Sequence, residues 1–375
     1  MFSLNGITLL EYKNIKIRLD YSWFILFFLV VGVLGLTFFP EQYPDVPQFN
    51  TWLYSIFAAI LFFSSILLHE LGHAIVAQKR GMRITEIILF IFGGVAKMKD
   101  EPDKPRTEFE IAIGGPIVSA LLATLFLLLA EVLQPVIDEG LHGVLWYVGY
   151  INLILLFFNM IPGFPLDGGR VARAAIWKYT GNLRKSTRIV SQIGQIFAFV
   201  LMFLGVLNIF GGAVVVGIFW IFIGLFLQQS AKSGYQLVAL REGLSGVPVS
   251  ELMTADPVSV EQNLTLSEVV DDYFFKNRHS SFPVIDEERL VGLVEINQIK
   301  NIKKGLWGHT RVSEIMTPLN GIKTINPDTD AFTLLTEMID HQKGRLLVTK
   351  NDRLMGIVSR KDIIQFAEFK QELHH

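Results

Sequence analysis

Long hydrophobic runs dominate the first 230 of the 375 residues, and segments of mixed polarity follow them. A helix needs about 20 mostly apolar residues to cross a bilayer, and six runs come close to that length. They lie at 22–39, 53–77, 109–133, 144–161, 190–209 and 213–229. The pattern predicts a polytopic α-helical membrane region of about six transmembrane helices within residues 1–230.

Two further segments do not have the pattern of a span: residues 1–21 are too polar, and residues 84–99 are too short. Residues 1–21 alternate in polarity over short distances, which is typical of edge strands lying against a membrane. Residues 84–99 contain Gly93 and Gly94, and we expect a re-entrant hairpin or a strand pair there; an apolar loop packed on the helices is the alternative. An unpaired strand edge could accept an extended peptide by strand addition, so both glycines are candidate contact residues.

The charges between the runs predict the orientation of the chain. Lysine and arginine are concentrated before the first run, after the second, after the fourth and, more weakly, after the sixth, whereas the other loops are acidic or neutral. Because basic loops favour the cytoplasmic side, we expect a multi-pass protein of the cell membrane, in contact with the lipid bilayer. Its N- and C-termini are then both cytoplasmic.

Composition narrows the class of protein further. Hydrophobic residues make up 51% of the chain and the mean hydropathy is +0.43, which is more apolar than an ordinary soluble protein. The net charge of −2 gives no indication of a nucleic-acid partner. The chain has no cysteine, so disulfides and thiolate metal sites are excluded, and histidines and carboxylates remain as metal ligands.

The second run carries an H-E-x-x-H motif made by His69, Glu70 and His73. This spacing puts both histidines on one face of a helix, where their imidazoles can bind one metal ion. Glu70 lies beside them and could accept a proton from water. Ionisable residues are costly in hydrocarbon and are usually functional; a polar cluster that only joins helices is the alternative.

Asp167 is the expected third ligand, because catalytic zinc usually has three protein ligands. The topology puts it just past the cytoplasmic end of the fourth run, at a depth similar to that of His69 and His73. Alternatively, Asp167 only caps a helix. Asn159, two turns earlier, could hydrogen-bond a developing oxyanion or anchor a substrate backbone, or it could join two helices.

The remaining residues contain an internal repeat after a predicted linker at 231–247. Val249-Ser-Glu-Leu-Met-Thr254 returns as Val312-Ser-Glu-Ile-Met-Thr317. Each copy continues with an amphipathic helix, two strands around an acidic turn and a closing helix. The repeat predicts a soluble α/β domain that is a pseudo-symmetric pair sharing one core, with copies at 248–303 and 312–370.

Three segments of the first 230 residues resemble the site-2 protease family of intramembrane zinc metalloproteases. They are His69-Glu-Leu-Gly-His73, residues 92–96 (Phe-Gly-Gly-Val-Ala) and residues 159–169, which begin with Asn159 and include Asp167. The resemblance implies one catalytic Zn²⁺ held by His69, His73 and Asp167, with Glu70 as catalytic base. It also implies cleavage of transmembrane segments in other proteins, of the anti-sigma factor or membrane-tethered regulator type. Family members often have asparagine near the Gly-Pro pair of the third span, where this chain has Ser119.

The two copies resemble a tandem cystathionine-β-synthase (CBS) domain pair, a module that often binds adenine nucleotides and often oligomerises. In the second copy Gly356-Ile-Val-Ser-Arg-Lys-Asp362 matches the nucleotide pattern, which implies ATP or AMP with Ser359 at the phosphates and Asp362 at the ribose. The first copy departs from it, with Glu295 and Gln298 at the corresponding positions, so we expect at most one intact site. A pair that serves only for homodimerisation or docking is the alternative.

Together these features predict an intramembrane zinc metalloprotease of regulated intramembrane proteolysis, modulated by the CBS pair through nucleotide binding or oligomerisation. A CBS-gated transporter or channel is a second hypothesis, because six spans and a CBS pair would suit one. Charged residues that line a path across the whole membrane would favour a transporter or channel. Here the charges within the membrane concentrate around the candidate metal ligands. A catalytically idle homologue is disfavoured by the complete set of ligands and base.

Overall fold

The computed structural model describes residues 6–12, 15–98, 102–287, 289–341, 343–351 and 353–373. Backbone contacts divide the chain into two compact units, Met1–Gln236 and Leu237–His375. Each unit has its own sheet and its own hydrophobic clusters.

The first unit is mainly helical. Its helices are α1 (Tyr21–Val33), α2 (Phe39–Gln42), α3 (Gln48–Lys79), α4 (Pro105–Leu133), α5 (Glu139–Asn159), α6 (Asp167–Thr180), α7 (Leu183–Phe210) and most of α8 (Val214–Leu244), whose residues from Leu237 onward belong to the second unit. The π-helical segment Leu34–Phe38 continues α1 into α2, so Tyr21–Gln42 acts as one span. With α3, α4, α5, α7 and α8 it gives six helices in the described residues that are long and apolar enough to cross a membrane. The six predicted spans are confirmed.

The helices extend beyond the hydrophobic runs that predict them. The second run begins at residue 53 but α3 begins at Gln48, and the sixth run ends at residue 229 but α8 ends at Leu244. The predicted linker at 231–247 therefore contains the last turns of α8. Hydropathy marks only the part of a helix that suits hydrocarbon, whereas backbone hydrogen bonding continues into its polar ends.

Four strands form a small sheet in the first unit. They are β1 (Gly6–Tyr12), β2 (Ile15–Asp20), β3 (Ile84–Phe90) and β4 (Gly93–Met98), in the order β1-β2-β3-β4. The predicted strand pair at 84–99 is thus correct and the apolar-loop alternative is wrong. Ile15 and Ile87 pack in one buried cluster with Ala74 and Ala77 of α3, so the sheet lies on the helix that carries the H-E-x-x-H motif. Only β3 pairs with β4 among the described strands, so β4 is an edge strand.

The second unit alternates short strands and helices. Its elements are β5 (Thr254–Ala255), β6 (Val260–Glu261), α9 (Leu266–Val269), α10 (Phe275–Asn277), β7 (Ser281–Asp286), β8 (Arg289–Glu295), α11 (Ile296–Lys300), α12 (Val312–Ile315), β9 (Thr317–Pro318), β10 (Thr324–Ile325), α13 (Ala331–Asp340), β11 (Arg345–Lys350), β12 (Arg353–Ser359) and α14 (Arg360–Leu373). One mixed sheet runs β10-β11-β12-β8-β7-β6. In addition, β5 pairs with β12 and β9 pairs with β8.

The two copies exchange their first segments. The strand β5 follows the first Val-Ser-Glu motif but pairs with the second copy, and β9 does the converse. Val249 is buried in a cluster with Leu334 and Val358, whereas Val312 is buried in a separate cluster with Val260. The prediction of one shared core is therefore wrong. There are two cores, and each is completed by the other copy, which makes the pair a single folding unit.

Candidate metal centre

Helix α3 brings the two histidines of the motif together. His69 and His73 are one helical turn apart, both are buried, and their Nε2 atoms lie 3.2 Å apart. This is the arrangement that the spacing predicts, because positions i and i+4 share one face of a helix.

Asp167 reaches the same point from α6. The turn at 160–166 reverses the chain after α5, and Asp167 is the first residue of the next helix. Its Oδ2 lies 3.0 Å from His69 Nε2 and 3.2 Å from His73 Nε2. The Asp167 carboxylate thus faces the histidines. The N-cap position of α6 is Leu166, so the alternative role of Asp167 as a helix cap is not supported.

Helix α4 orients both imidazole rings. The backbone carbonyl of Ile111 lies 2.7 Å from His73 Nδ1, and the Ser119 hydroxyl lies 2.9 Å from His69 Nδ1. A carbonyl oxygen can only accept, so His73 Nδ1 donates the hydrogen bond and its Nε2 keeps a free lone pair. The same tautomer of His69 follows when its Nδ1 donates to the hydroxyl oxygen. Ser119, which the sequence marks only as a departure from the family, thus holds one ring of the motif.

When both Nδ1 atoms donate, the two Nε2 atoms and Asp167 Oδ2 face one another as acceptors, and such a set suits a metal ion. His69, His73 and Asp167 each present one such atom, all within 4.8 Å of one another. Three buried lone pairs repel one another unless a cation lies between them. Zinc bonds of about 2.0–2.1 Å at tetrahedral angles put ligand atoms about 3.3 Å apart, close to the separations of 3.0–3.2 Å found here. The donor set therefore fits zinc.

Gly115 keeps the space beside these atoms open. A Cβ on this residue would lie 2.5 Å from His69 Nε2 and closer still to His73 Nε2. Gly115 lies on α4 between Ile111 and Ser119, at intervals of four residues, so one stripe of α4 both orients the rings and leaves room for an ion.

Glu70 lies against the edge strand. A Cβ on Gly94 would lie 3.0 Å from Glu70 Cδ and 3.1 Å from its Oε1, so a side chain at this position of β4 would displace the carboxylate. Gly93 begins β4 with φ at +125°, which favours glycine, and the space around it is open. The structure thus brings Gly94 to the motif and puts Gly93 at the turn beside it.

Asn159 lies outside the cluster of three acceptors. It is the last residue of α5 and is half-buried. Its side chain makes no hydrogen bond to another residue in the described part of the chain, so the proposed role in joining helices gains no support from a contact.

In the second unit, the candidate nucleotide residues contact each other. The backbone N–H and the hydroxyl of Ser359 donate to Asp362 Oδ2 at 2.9 and 2.7 Å, across the junction of β12 and α14. A cavity of about 690 Å³ is lined by Ser359 and by the basic residues Arg345, Arg360 and Lys361, but not by Asp362. Of the two candidate residues, Ser359 therefore lines this cavity and Asp362 does not.

The first copy has a different polar arrangement at the corresponding junction. The backbone N–H of Glu295 donates to Gln298 Oε1 at 2.7 Å, and Gln298 Nε2 donates to the Thr317 hydroxyl at 2.9 Å. Both the oxygen and the nitrogen of the Gln298 amide are thus engaged within the protein.

Comparisons with known proteins agree with these two units. Residues 57–138 and 134–204 match the family model of peptidase family M50, and residues 249–303 and 312–368 match that of the CBS domain. The chain is 31% identical to the zinc metalloprotease MJ0392 of Methanocaldococcus jannaschii, over 98% of each protein. It is 37% identical to the stage IV sporulation protein FB of Bacillus subtilis, over 28% of this chain and 35% of that protein. The structure of a site-2 protease from Methanocaldococcus jannaschii is 32% identical, covers 62% of this chain and 95% of its own, and has a TM-score of 0.45.

Six membrane-type helices and a buried His-His-Asp cluster with an adjacent glutamate define a multi-pass membrane metallopeptidase. The relative matched over 98% of each protein and the match to the peptidase family model identify the family of this metallopeptidase. The chain belongs to the site-2 protease family, peptidase family M50, whose metal is zinc, and it carries a tandem CBS domain pair. The predicted resemblance is confirmed, and the transporter hypothesis is disfavoured.

Proposed function

We propose that the chain hydrolyses peptide bonds within transmembrane segments of other membrane proteins, as part of regulated intramembrane proteolysis. One observation carries the proposal: the acceptor atoms of His69, His73 and Asp167 converge among helices that are long and apolar enough to cross a bilayer. A site at that position meets substrates that are themselves embedded in the membrane.

In this proposal His69 Nε2, His73 Nε2 and Asp167 Oδ2 hold one zinc ion. When bound, zinc supplies a Lewis acid that makes water more acidic and polarises the scissile carbonyl. The partners of the two Nδ1 atoms, Ile111 and Ser119, keep both rings turned toward the cluster. Such partners fix the tautomer and raise the basicity of histidine ligands.

Glu70 is the proposed general base. It accepts a proton from the attacking water and returns it to the leaving amine nitrogen as the peptide bond breaks. Gly94 supports this role because the strand β4 approaches the carboxylate without a side chain between them. Any larger residue there would move Glu70.

The edge of β4 is the proposed docking site for substrate. A transmembrane helix has its backbone groups paired internally, so the bond to be cut must first leave the helix. An extended segment can then pair with β4 through backbone hydrogen bonds, which brings it past Gly93 and Gly94 to Glu70. Asn159 would anchor the substrate backbone or stabilise the oxyanion.

The charge distribution supports cytoplasmic N- and C-termini and, with them, a metal centre in the cytoplasmic half of the bilayer. Water then reaches it from the cytoplasm. On the resemblance to site-2 proteases, the substrates are membrane-anchored regulators of the anti-sigma factor or tethered transcription factor type.

We further propose that the second CBS copy binds ATP or AMP and that the pair modulates cleavage, through the nucleotide or through a homodimer. Arg345, Arg360 and Lys361 beside Ser359 suit the charge of phosphate groups. Asp362 would exchange its hydrogen bonds with Ser359 for bonds to ribose hydroxyls.

The experiment that tests the protease uses a Glu70→Gln variant as a trap. This variant keeps the metal ligands but lacks the base, so we expect it to retain zinc and to co-purify with an uncut membrane protein. The captured protein is then reconstituted in liposomes with the wild-type enzyme, and the cut is located by mass spectrometry. A cut inside its transmembrane segment supports the proposal. A cut in a soluble segment, or full activity of the zinc-loaded variant, would contradict it.

A further inference from the structure

A buried ion pair joins α4 to α6 beside the metal centre. Arg173 Nε donates to Glu108 Oε1 at 2.6 Å, and the guanidinium Nη2 contacts the same oxygen. The Glu108 side chain is fully buried and that of Arg173 is 14% exposed. Glu108 Oε2 has no hydrogen-bond partner among the described residues, so Arg173 supplies the compensating charge for a carboxylate that water does not reach.

Both partners lie on the helices that build the site. Glu108 precedes Ile111 by one turn of α4, and Ile111 accepts the hydrogen bond from His73. Arg173 follows Asp167 by less than two turns of α6. The ion pair therefore links the helix that orients the histidines to the helix that carries the third acceptor.

Arg173 also contacts the turn before Asp167. Its Cζ lies 4.8 Å from the centre of the Phe164 ring, a cation–π distance. The backbone N–H of Phe164 donates to the Val190 carbonyl on α7 at 3.2 Å. The guanidinium of one α6 residue thus contacts both the turn before Asp167 and α4.

We propose that Glu108 and Arg173 are positioning residues that fix the register of α6 on α4 and so keep Asp167 within reach of His69 and His73. Separating a buried carboxylate from its charged partner is costly, so the ion pair opposes sliding of α6 along α4. Without the ion pair, α6 can shift along α4 and the three acceptors separate. The inference rests on the proposed metal role of those three residues.

A purely structural role makes a different prediction. Replacing a buried ion pair with apolar residues of similar size often leaves stability unchanged or improves it. The double variant Glu108→Leu/Arg173→Met should therefore stay folded. If the pair only stabilises the fold, this variant keeps its metal affinity; if the pair sets the register of Asp167, it does not.

The test is a Co²⁺ titration of the metal-free full-length protein in detergent, followed by visible absorption. We expect the double variant to bind Co²⁺ about 10–100-fold more weakly than the wild type, as for other residues that orient metal ligands, and with an altered spectrum. Arg106→Met is the matched control: Arg106 pairs with Glu110 in the same part of α4, but it is 85% exposed and does not reach α6. Its affinity should remain within about twofold of the wild type.

Arg173→Lys keeps the charge but not the planar fork, and it decides the question if the double variant does not fold. We expect it to weaken Co²⁺ binding severalfold. Wild-type affinity in either folded variant, or an equal loss in Arg106→Met, would overturn the positioning role. Failure of the wild type itself to bind Co²⁺ would instead contradict the metal site.

Discussion

The chain carries two sets of polar residues that the sequence marks as ligand sites, and they differ in how their hydrogen-bonding capacity is used. In the membrane unit, the Nε2 atoms of His69 and His73 and the Oδ2 of Asp167 face one another as acceptors. In the second unit, Asp362 accepts two hydrogen bonds from Ser359 and is already satisfied. The first arrangement is suited to a cation between its three atoms, whereas the second pairs its polar atoms with each other.

The contrast has a physical cause. Buried lone pairs that face each other are destabilising unless something lies between them, so the fold retains such a cluster for the ion that completes it. A carboxylate that caps a helix near the surface contributes to stability by itself. A nucleotide at Asp362 must therefore compete with an existing contact.

The largest effect is expected at the first site. Asp167→Ala removes one of three ligand atoms, so zinc affinity should fall by more than the roughly 10–100-fold that loss of an orienting partner causes. Zinc content by mass spectrometry and competition with a chelator measure the change.

Asp138→Ala is the control for this substitution. Asp138 is the N-cap of α5, where it accepts a hydrogen bond from the Leu141 N–H, and its side-chain partner is Tyr54 and not a histidine. We expect the control variant to be about 0.5–2 kcal/mol less stable, because a helix cap is removed. It should keep its zinc. If Asp167→Ala retained zinc as Asp138→Ala does, the role of Asp167 as a zinc ligand would be contradicted.

A smaller effect is expected at the second site. Asp362→Ala in the full-length chain should weaken ATP binding about 10-fold, since it removes charge-assisted hydrogen bonds of about 1.5–3 kcal/mol while freeing Ser359. Calorimetry with ATP and with AMP measures the change.

Gln298→Ala in the first copy serves as the comparison, because Gln298 already bonds Thr317. Its effect on ATP affinity should stay within about twofold, the range of most substitutions away from a binding site. Equal losses in both variants, or none in Asp362→Ala, would contradict a nucleotide site specific to the second copy.

The sequence predicts the parts of the molecule that depend on local spacing. The facing of His69 and His73 follows from helix periodicity, and the arrival of Asp167 follows from topology. The edge strand at 93–98 follows from an apolar stretch too short to span. Each of these rests on a pattern within one segment or on a count of crossings.

Other parts depend on how distant segments cross, and no local pattern encodes them. Ser119 and Ile111 orient the histidines only because of the angle at which α4 crosses α3. The buried Glu108–Arg173 pair joins helices separated by a complete span. The exchange of Val249 and Val312 between the CBS copies is likewise invisible in a repeat, because both copies carry the same motif.

The most direct test of the metal centre is zinc K-edge X-ray absorption of the purified wild-type protein. We expect one zinc per chain, bound by two imidazole nitrogens and by oxygen at about 2.0–2.1 Å. Protein purified without zinc that also fails to take it up, or zinc with fewer than two imidazole ligands, would contradict a centre built by His69, His73 and Asp167.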